Sequence, residues 1–154
     1  MPALKVETQK IGSYLILHFF GALNEDAKIP PQNFKDVSEI QVNLEKMTQI
    51  NSVGIRSWIQ FINTIPISAK VILNHVPRIL ILQANAVAGF FPKNSEIASY
   101  EVPYFCEYCN KTFSSFSSEK DSDKVAETTK CPKCKTDSEL DVIKPNYFKF
   151  LDRT

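Results

Sequence analysis

An α/β fold followed by a small metal-stapled module is what this sequence predicts, and three observations predict it. Short alternating apolar runs are interleaved with two stretches of helical periodicity between Leu4 and Val102. All four cysteines, Cys106, Cys109, Cys131 and Cys134, fall in the last third as two Cys-x-x-Cys pairs. The composition also shifts near residue 100, from Ile, Leu and Val to Ser, Lys, Asp and Glu. The 154 residues are therefore expected to divide into residues 1–102 and 103–154.

The elements follow in order. Leu4, Val6 and Thr8 alternate with polar residues, as in a half-buried strand. Ser13 to Phe20 is denser in apolar side chains and suits a strand buried on both faces or nearly so. Gly21 and Asn24 mark a turn, and Ala27 to Asp36, with Pro30-Pro31, reads as loop. Ile40, Val42 and Leu44 give a third strand. Ile55, Trp58, Ile59 and Ile62 share one helical face, leaving Arg56, Ser57, Gln60 and Asn63 away from it, and Pro66 stops the helix. Lys70 to Asn74 is a fourth strand. Pro77 suits a helix first turn, with Leu80, Ala84, Val87 and Phe91 as the stripe and Gly89 as the stop. Glu96 to Val102 is expected as a fifth strand. Late strands that alternate with helices imply parallel pairs with right-handed crossovers and a mixed sheet with helices packed on it.

Composition excludes several classes. Net charge is +1 and pI about 7.6, which is no nucleic-acid-coating polypeptide. The apolar run Ile79-Leu80-Ile81-Leu82 is far short of the roughly 20 residues of a membrane span. Met1 to Val6 lacks a basic stretch leading into an apolar one, so no signal peptide is expected and the cytoplasm is the expected compartment.

At Asn51-Ser52-Val53-Gly54 a strand runs straight into a helix. Asn51 or Ser52 suits the N-cap, and Gly54 permits close backbone approach. Met47 to Arg56, following the strand Ile40 to Leu44, resembles the signature of STAS domains, the family of bacterial anti-sigma-factor antagonists. Gly21-Ala22-Leu23-Asn24-Glu25 and the order of elements over roughly residues 4–102 are similar too. Asn51 stands where the family usually has Asp, and Val53 where it has Ser or Thr. The loop-like segment between Asn24 and Ile40 stands where the family usually has a helix.

The resemblance implies an STAS-like fold. It also implies Ser52 as the residue phosphorylated by a partner kinase that doubles as an anti-sigma factor. The implied partner surface comprises Asn51, Ser52, Val53, Gly54, Arg56 and Gln60, with Phe61 at its margin.

Each Cys-x-x-Cys can form a knuckle presenting two thiolates, and two knuckles complete a tetrahedral site. The 21 residues between Cys109 and Cys131 are slightly more than the usual spacing, and Ser114 to Thr129 suits a long loop. This resembles a zinc ribbon. Cys106, Cys109, Cys131 and Cys134 are the expected ligands of one structural Zn2+, with no position left open for catalysis. Disulfides, a redox pair and an iron–sulfur cluster are the competing uses of four cysteines. Tyr147, Phe148, Phe150 and Leu151 form an aromatic tail expected to pack inward.

Residues 100–154 carry nine Lys/Arg and ten Asp/Glu, a net −1 that becomes −3 once four thiolates hold a divalent ion. That balance argues against nucleic acid, despite a local basic spot at Lys130, Lys133 and Lys135. The two histidines read as structural, in a strand at His18 and in a turn at His75. No phosphate-binding loop is visible, and Glu25-Asp26 reads as a solvated turn. The expectation is a non-enzymatic regulatory protein that binds another protein. A nucleic-acid-associated adaptor and a purely architectural subunit are the alternatives.

Overall fold

The computed structural model describes residues 3–152. β1 (Lys5–Ile11) and β2 (Tyr14–Leu23) form an antiparallel hairpin whose turn uses Gly12 at φ 61°. β3 (Glu39–Ile50), β4 (Lys70–Asn74) and β5 (Ser95–Ile97) add in parallel, so the sheet order is β1-β2-β3-β4-β5. An irregular segment, residues 24–38, connects β2 to β3. Helix α1 (Ser52–Ile62) connects β3 to β4, and α2 (Arg78–Ala86) connects β4 to β5.

Register places Leu17, Val42, Leu73 and Ile97 in one row across four strands, each at most 1% exposed. The helices cover this row. Trp58 is fully buried, edge-on to Phe19 at 5.8 Å and 6.0 Å from Phe90, and its indole N–H donates to the Phe90 carbonyl at 2.7 Å. A buried indole needs such a partner. Phe61, expected at the margin of an exposed surface, is buried against Phe19 and Trp58. Ile55 and Ile59 are the half-buried ones.

Three expectations about elements are corrected. β2 is covered on one face only: Leu15, Leu17 and Phe19 are buried, whereas Ile16, His18 and Phe20 are half-buried on the open face. α2 ends at Ala86, because Val87 is extended and Gly89 turns the chain at φ 75°. Phe90 and Phe91 are buried from the loop instead. The expected strand Glu96 to Val102 is two strands in two sheets, broken at Ala98-Ser99. There the Ala98 N–H still bonds Leu73, while Val76 and Glu101 pair through Ser99 and Val76 carbonyls.

β6 (Tyr100–Cys106) opens the second sheet, with β7 (Lys111–Ser117), β8 (Thr128–Lys130) and β9 (Asp137–Leu140). The order is β7-β6-β9-β8, antiparallel throughout. The segment Ser114 to Thr129, expected as loop, thus begins inside a strand and ends in another. Phe113, stacked on Tyr104 at 5.7 Å, helps anchor β7. Between them lie a 3-10 turn at Glu119–Lys124 and a short connection.

The tail turns back through α3 (Lys144–Tyr147) and a 3-10 turn at Phe148–Leu151. Tyr147 and Phe150 are buried, Phe150 edge-on to Tyr100 at 5.1 Å and to Phe91 at 6.5 Å. Asn85 on α2 donates to the Tyr147 carbonyl at 2.9 Å, and Arg78 pairs with Asp141 at 3.2 Å. Burial pushes the Tyr147 phenol well up, so it stays a donor to the Glu101 carbonyl. The boundary expected between residues 102 and 103 falls inside β6, and one buried cluster runs from Leu15 to Phe150 across it. No helix among the described residues is long and apolar enough to cross a membrane.

Phe150→Ala is expected to cost about 3–5 kcal/mol, the range for deleting a buried aromatic ring. Thermal unfolding followed by far-UV circular dichroism and by Trp58 fluorescence should shift together. Two separated transitions, with Trp58 unaffected, would contradict the shared core.

Candidate metal centre and the strand-to-helix turn

The last residue of β6, Cys106, opens the first knuckle, and the second lies between β8 and β9. Each knuckle is closed by a left-handed residue just after its second cysteine, Asn110 at φ 52° and Lys135 at φ 65°. The Asn110 N–H bonds the Glu107 carbonyl at 3.2 Å, and the Lys135 N–H bonds the Cys131 carbonyl at 3.0 Å. Asn adopts this conformation readily, whereas Lys does so at a cost.

The two knuckles bring all four sulfurs within 4.8 Å of one another. Cys106 and Cys134 Sγ are 3.5 Å apart, and Cys109 and Cys131 Sγ 3.9 Å. Four sulfurs around one ion at about 2.3 Å would sit about 3.8 Å apart by tetrahedral geometry. The donor set and spacing therefore fit a metal ion, and these four residues could hold one. Cys106 and Cys131 are buried, and Cys109 and Cys134 half-buried.

The thiols are unequal. The Cys109 N–H donates to Cys106 Sγ at 3.4 Å and, with the Thr136 hydroxyl, holds the Cys106 thiol down at about 6. Thr136 likewise lowers Cys134, its Oγ1 lying 2.9 Å from Cys134 Sγ. Cys109 is pushed up to about 12 by its hydrogen bond to Cys134, by desolvation and by the neighbouring sulfurs. Four thiolates this close repel one another, and a divalent cation between them reverses that preference.

Asn51 is the N-cap of α1. Its Oδ1 accepts from the Gly54 N–H at 2.9 Å, its own N–H bonds the Leu23 carbonyl at 3.2 Å, and its Nδ2 donates to Glu25 Oε2 at 2.7 Å. Gly54 is obligatory, since a Cβ there would lie 1.8 Å from the Leu23 carbonyl oxygen. The first turn of the helix is thus pressed onto the end of β2.

Ser52 is the first helical residue and exposed, and Val53, Arg56 and Gln60 are exposed beside it. Gly54 is buried, so within the expected surface it contributes backbone packing. Gln60 also borders a groove lined by Ile29, Pro31 and Phe34 from the 24–38 segment.

Glu25, read from sequence as part of a solvated turn, is the partner of Asn51. Its own backbone N–H and the Asn51 amide hold its carboxyl below the usual range. Thr136 and Ser138 were not singled out by sequence either. The β6–β9 register brings Ser138 opposite Cys106, and the turn of the second knuckle brings Thr136 to Cys134; no spacing rule signals either. His18 lies on the open sheet face beside Phe20. His75 occupies a turn at φ 54°, edge-on to Phe116. Compared with known proteins, the chain matches no family model and no curated sequence.

Asn51→Asp preserves a good capping acceptor but sets a carboxylate against Glu25. It is expected to lower the melting temperature at pH 7, and to do so much less in a Glu25→Gln background. In the wild type, a depressed Glu25 contributes stability that is present above the ordinary glutamate range and fades as pH falls through its lowered value. In Asn51→Asp, acidification should narrow the deficit. Equal losses in both backgrounds would show that the Asn51–Glu25 contact is idle.

Proposed function

We propose that the chain is a non-catalytic protein-binding module of the STAS kind, with one structural zinc ion in its four-cysteine centre. The docking surface in this reading is the strand-to-helix turn and the exposed side of α1: Asn51, Ser52, Val53, Arg56 and Gln60. The observation that carries it is the division of labour at the turn. Asn51 does the capping, which leaves the Ser52 hydroxyl exposed with no hydrogen bond of its own among the described residues.

A phosphate on Ser52 would meet the free N–H groups and positive dipole of a helix start. It would add nearly two negative charges beside the Asn51–Glu25 pair. A partner that docks on the neutral turn would be released by the charged one. The partner is then a signalling protein of the anti-sigma-factor kinase type. The sheet order, with one antiparallel pair followed by three parallel ones, supports the STAS reading.

Zinc is the metal that the donor set favours. Four soft thiolates in a closed tetrahedron suit a d10 ion with no open coordination position. A structural ion is also what a small, four-stranded sheet with a modest apolar lining calls for.

Two measurements on one preparation test the reading. Metal analysis should return about one zinc per chain, as four thiolates around one ion imply. Metal-free protein with four free thiols would overturn the zinc half. Partner capture should recover a protein with the wild type that is lost with Ser52→Glu and with Arg56→Glu. Identical partners for all three would overturn the docking surface.

A further inference from the structure

Ser138 is only 1% exposed, and its hydroxyl makes no well-formed hydrogen bond but acts on the Cys106 sulfur, helping to hold that thiol down. Buried hydroxyls rarely go unpaired, and an orphan usually marks a group or ion that completes it. β6 and β9 pair antiparallel, Tyr104 with Leu140 and Phe105 with Glu139. Carried one step further, that register sets Ser138 opposite Cys106. A neutral thiol is a poor acceptor, whereas a metal-bound thiolate is a good one.

A second hydroxyl lies against the sulfurs of Cys134 and Cys106. Thr136 Oγ1 is 2.9 Å from Cys134 Sγ and 3.6 Å from Cys106 Sγ. Its position is set by the knuckle itself, because the Cys131 N–H bonds the Thr136 carbonyl at 2.9 Å.

We propose that the Thr136 and Ser138 hydroxyls are positioning residues of the metal centre, Thr136 donating to Cys134 and Ser138 donating to Cys106. This rests on the zinc reading above and deepens it. One divalent ion on four thiolates carries a net charge of −2, half of it on sulfurs removed from water at Cys106 and Cys131. Hydrogen bonds from outside the ligand set spread that charge and fix the sulfur lone pairs toward the ion. Cys106 would then have two donors, Ser138 and the Cys109 N–H. Both hydroxyls come from the five residues that follow Cys134, so the second knuckle and β9 supply ligands and support together.

The test uses the full-length protein loaded with Co2+, whose sulfur-to-metal charge-transfer bands report electron density on the thiolates. Wild-type protein should take one Co2+ with the spectrum of a tetrahedral tetrathiolate. Ser138→Ala and Thr136→Val should move the charge-transfer bands to lower energy, since unsupported thiolates give up electrons more easily. Competition with a chelator should show metal held about tenfold or more weakly, the usual loss for an outer-shell partner. Thr136→Ser, which keeps the hydroxyl, should restore both readouts. Ser138→Ala leaves the β8–β9 backbone pairing in place, so its circular dichroism should match the wild type. Variants with unchanged bands and unchanged affinity would overturn the proposal while leaving the zinc reading intact. A wild-type spectrum without thiolate bands would overturn the zinc reading and the proposal with it.

Discussion

Charge is the constraint on which the C-terminal half depends. Four cysteine sulfurs within 4.8 Å cannot all be thiolates without a cation among them. The surroundings favour the charged state at Cys106 and Cys134. One amide N–H and one threonine hydroxyl already point at Cys106 and Cys134, and a buried serine hydroxyl beside them has nothing else to serve. The left-handed turns at Asn110 and Lys135 are what the chain accepts to converge the two knuckles.

β6 transmits that constraint to the rest of the molecule. It begins at Tyr100, bridged to Val76 after β4, and ends at Cys106. Tyr100 is fully buried against Phe148 and Phe150, which the tail brings back over α2. The four-cysteine cluster therefore sits at one end of a strand whose other end is in the α/β core. The strand-to-helix turn at Asn51 belongs to the opposite logic: it is fixed by packing, Gly54 against Leu23, and Ser52 beside it is exposed.

The legible parts of the sequence were those with an unbroken period or a strict spacing. Ile40, Val42 and Leu44 alternate cleanly and lie in a strand. The two Cys-x-x-Cys pairs converge as their spacing requires, and the cap falls on Asn51, one of the two neighbouring residues suited to it. The break at Ala98-Ser99 was hidden because Glu96 to Val102 looks uniformly strand-forming. Yet the inward phase flips there, from Ile97 to Tyr100 and Val102, and a phase flip is what a strand leaving one sheet for another must show. β7 was hidden because Phe113 and Phe116 are three apart and cannot share a strand face, so its serines read as loop. Phe61 and the closure of the tail over α2 depend on long-range packing that no local window contains, and so does the role of Glu25, whose partner is 26 residues away.

The central claim is that the four-cysteine cluster and the α/β core are one mechanical unit joined through β6. Amide hydrogen exchange, compared between metal-loaded and chelator-stripped protein, tests it most directly. On this account, stripping the metal lowers protection beyond the knuckles, along β6 to the Glu101 and Val76 amides that bond across the sheet junction. Loss of protection confined to residues 106–111 and 131–138, with β6 and the tail unchanged, would contradict it.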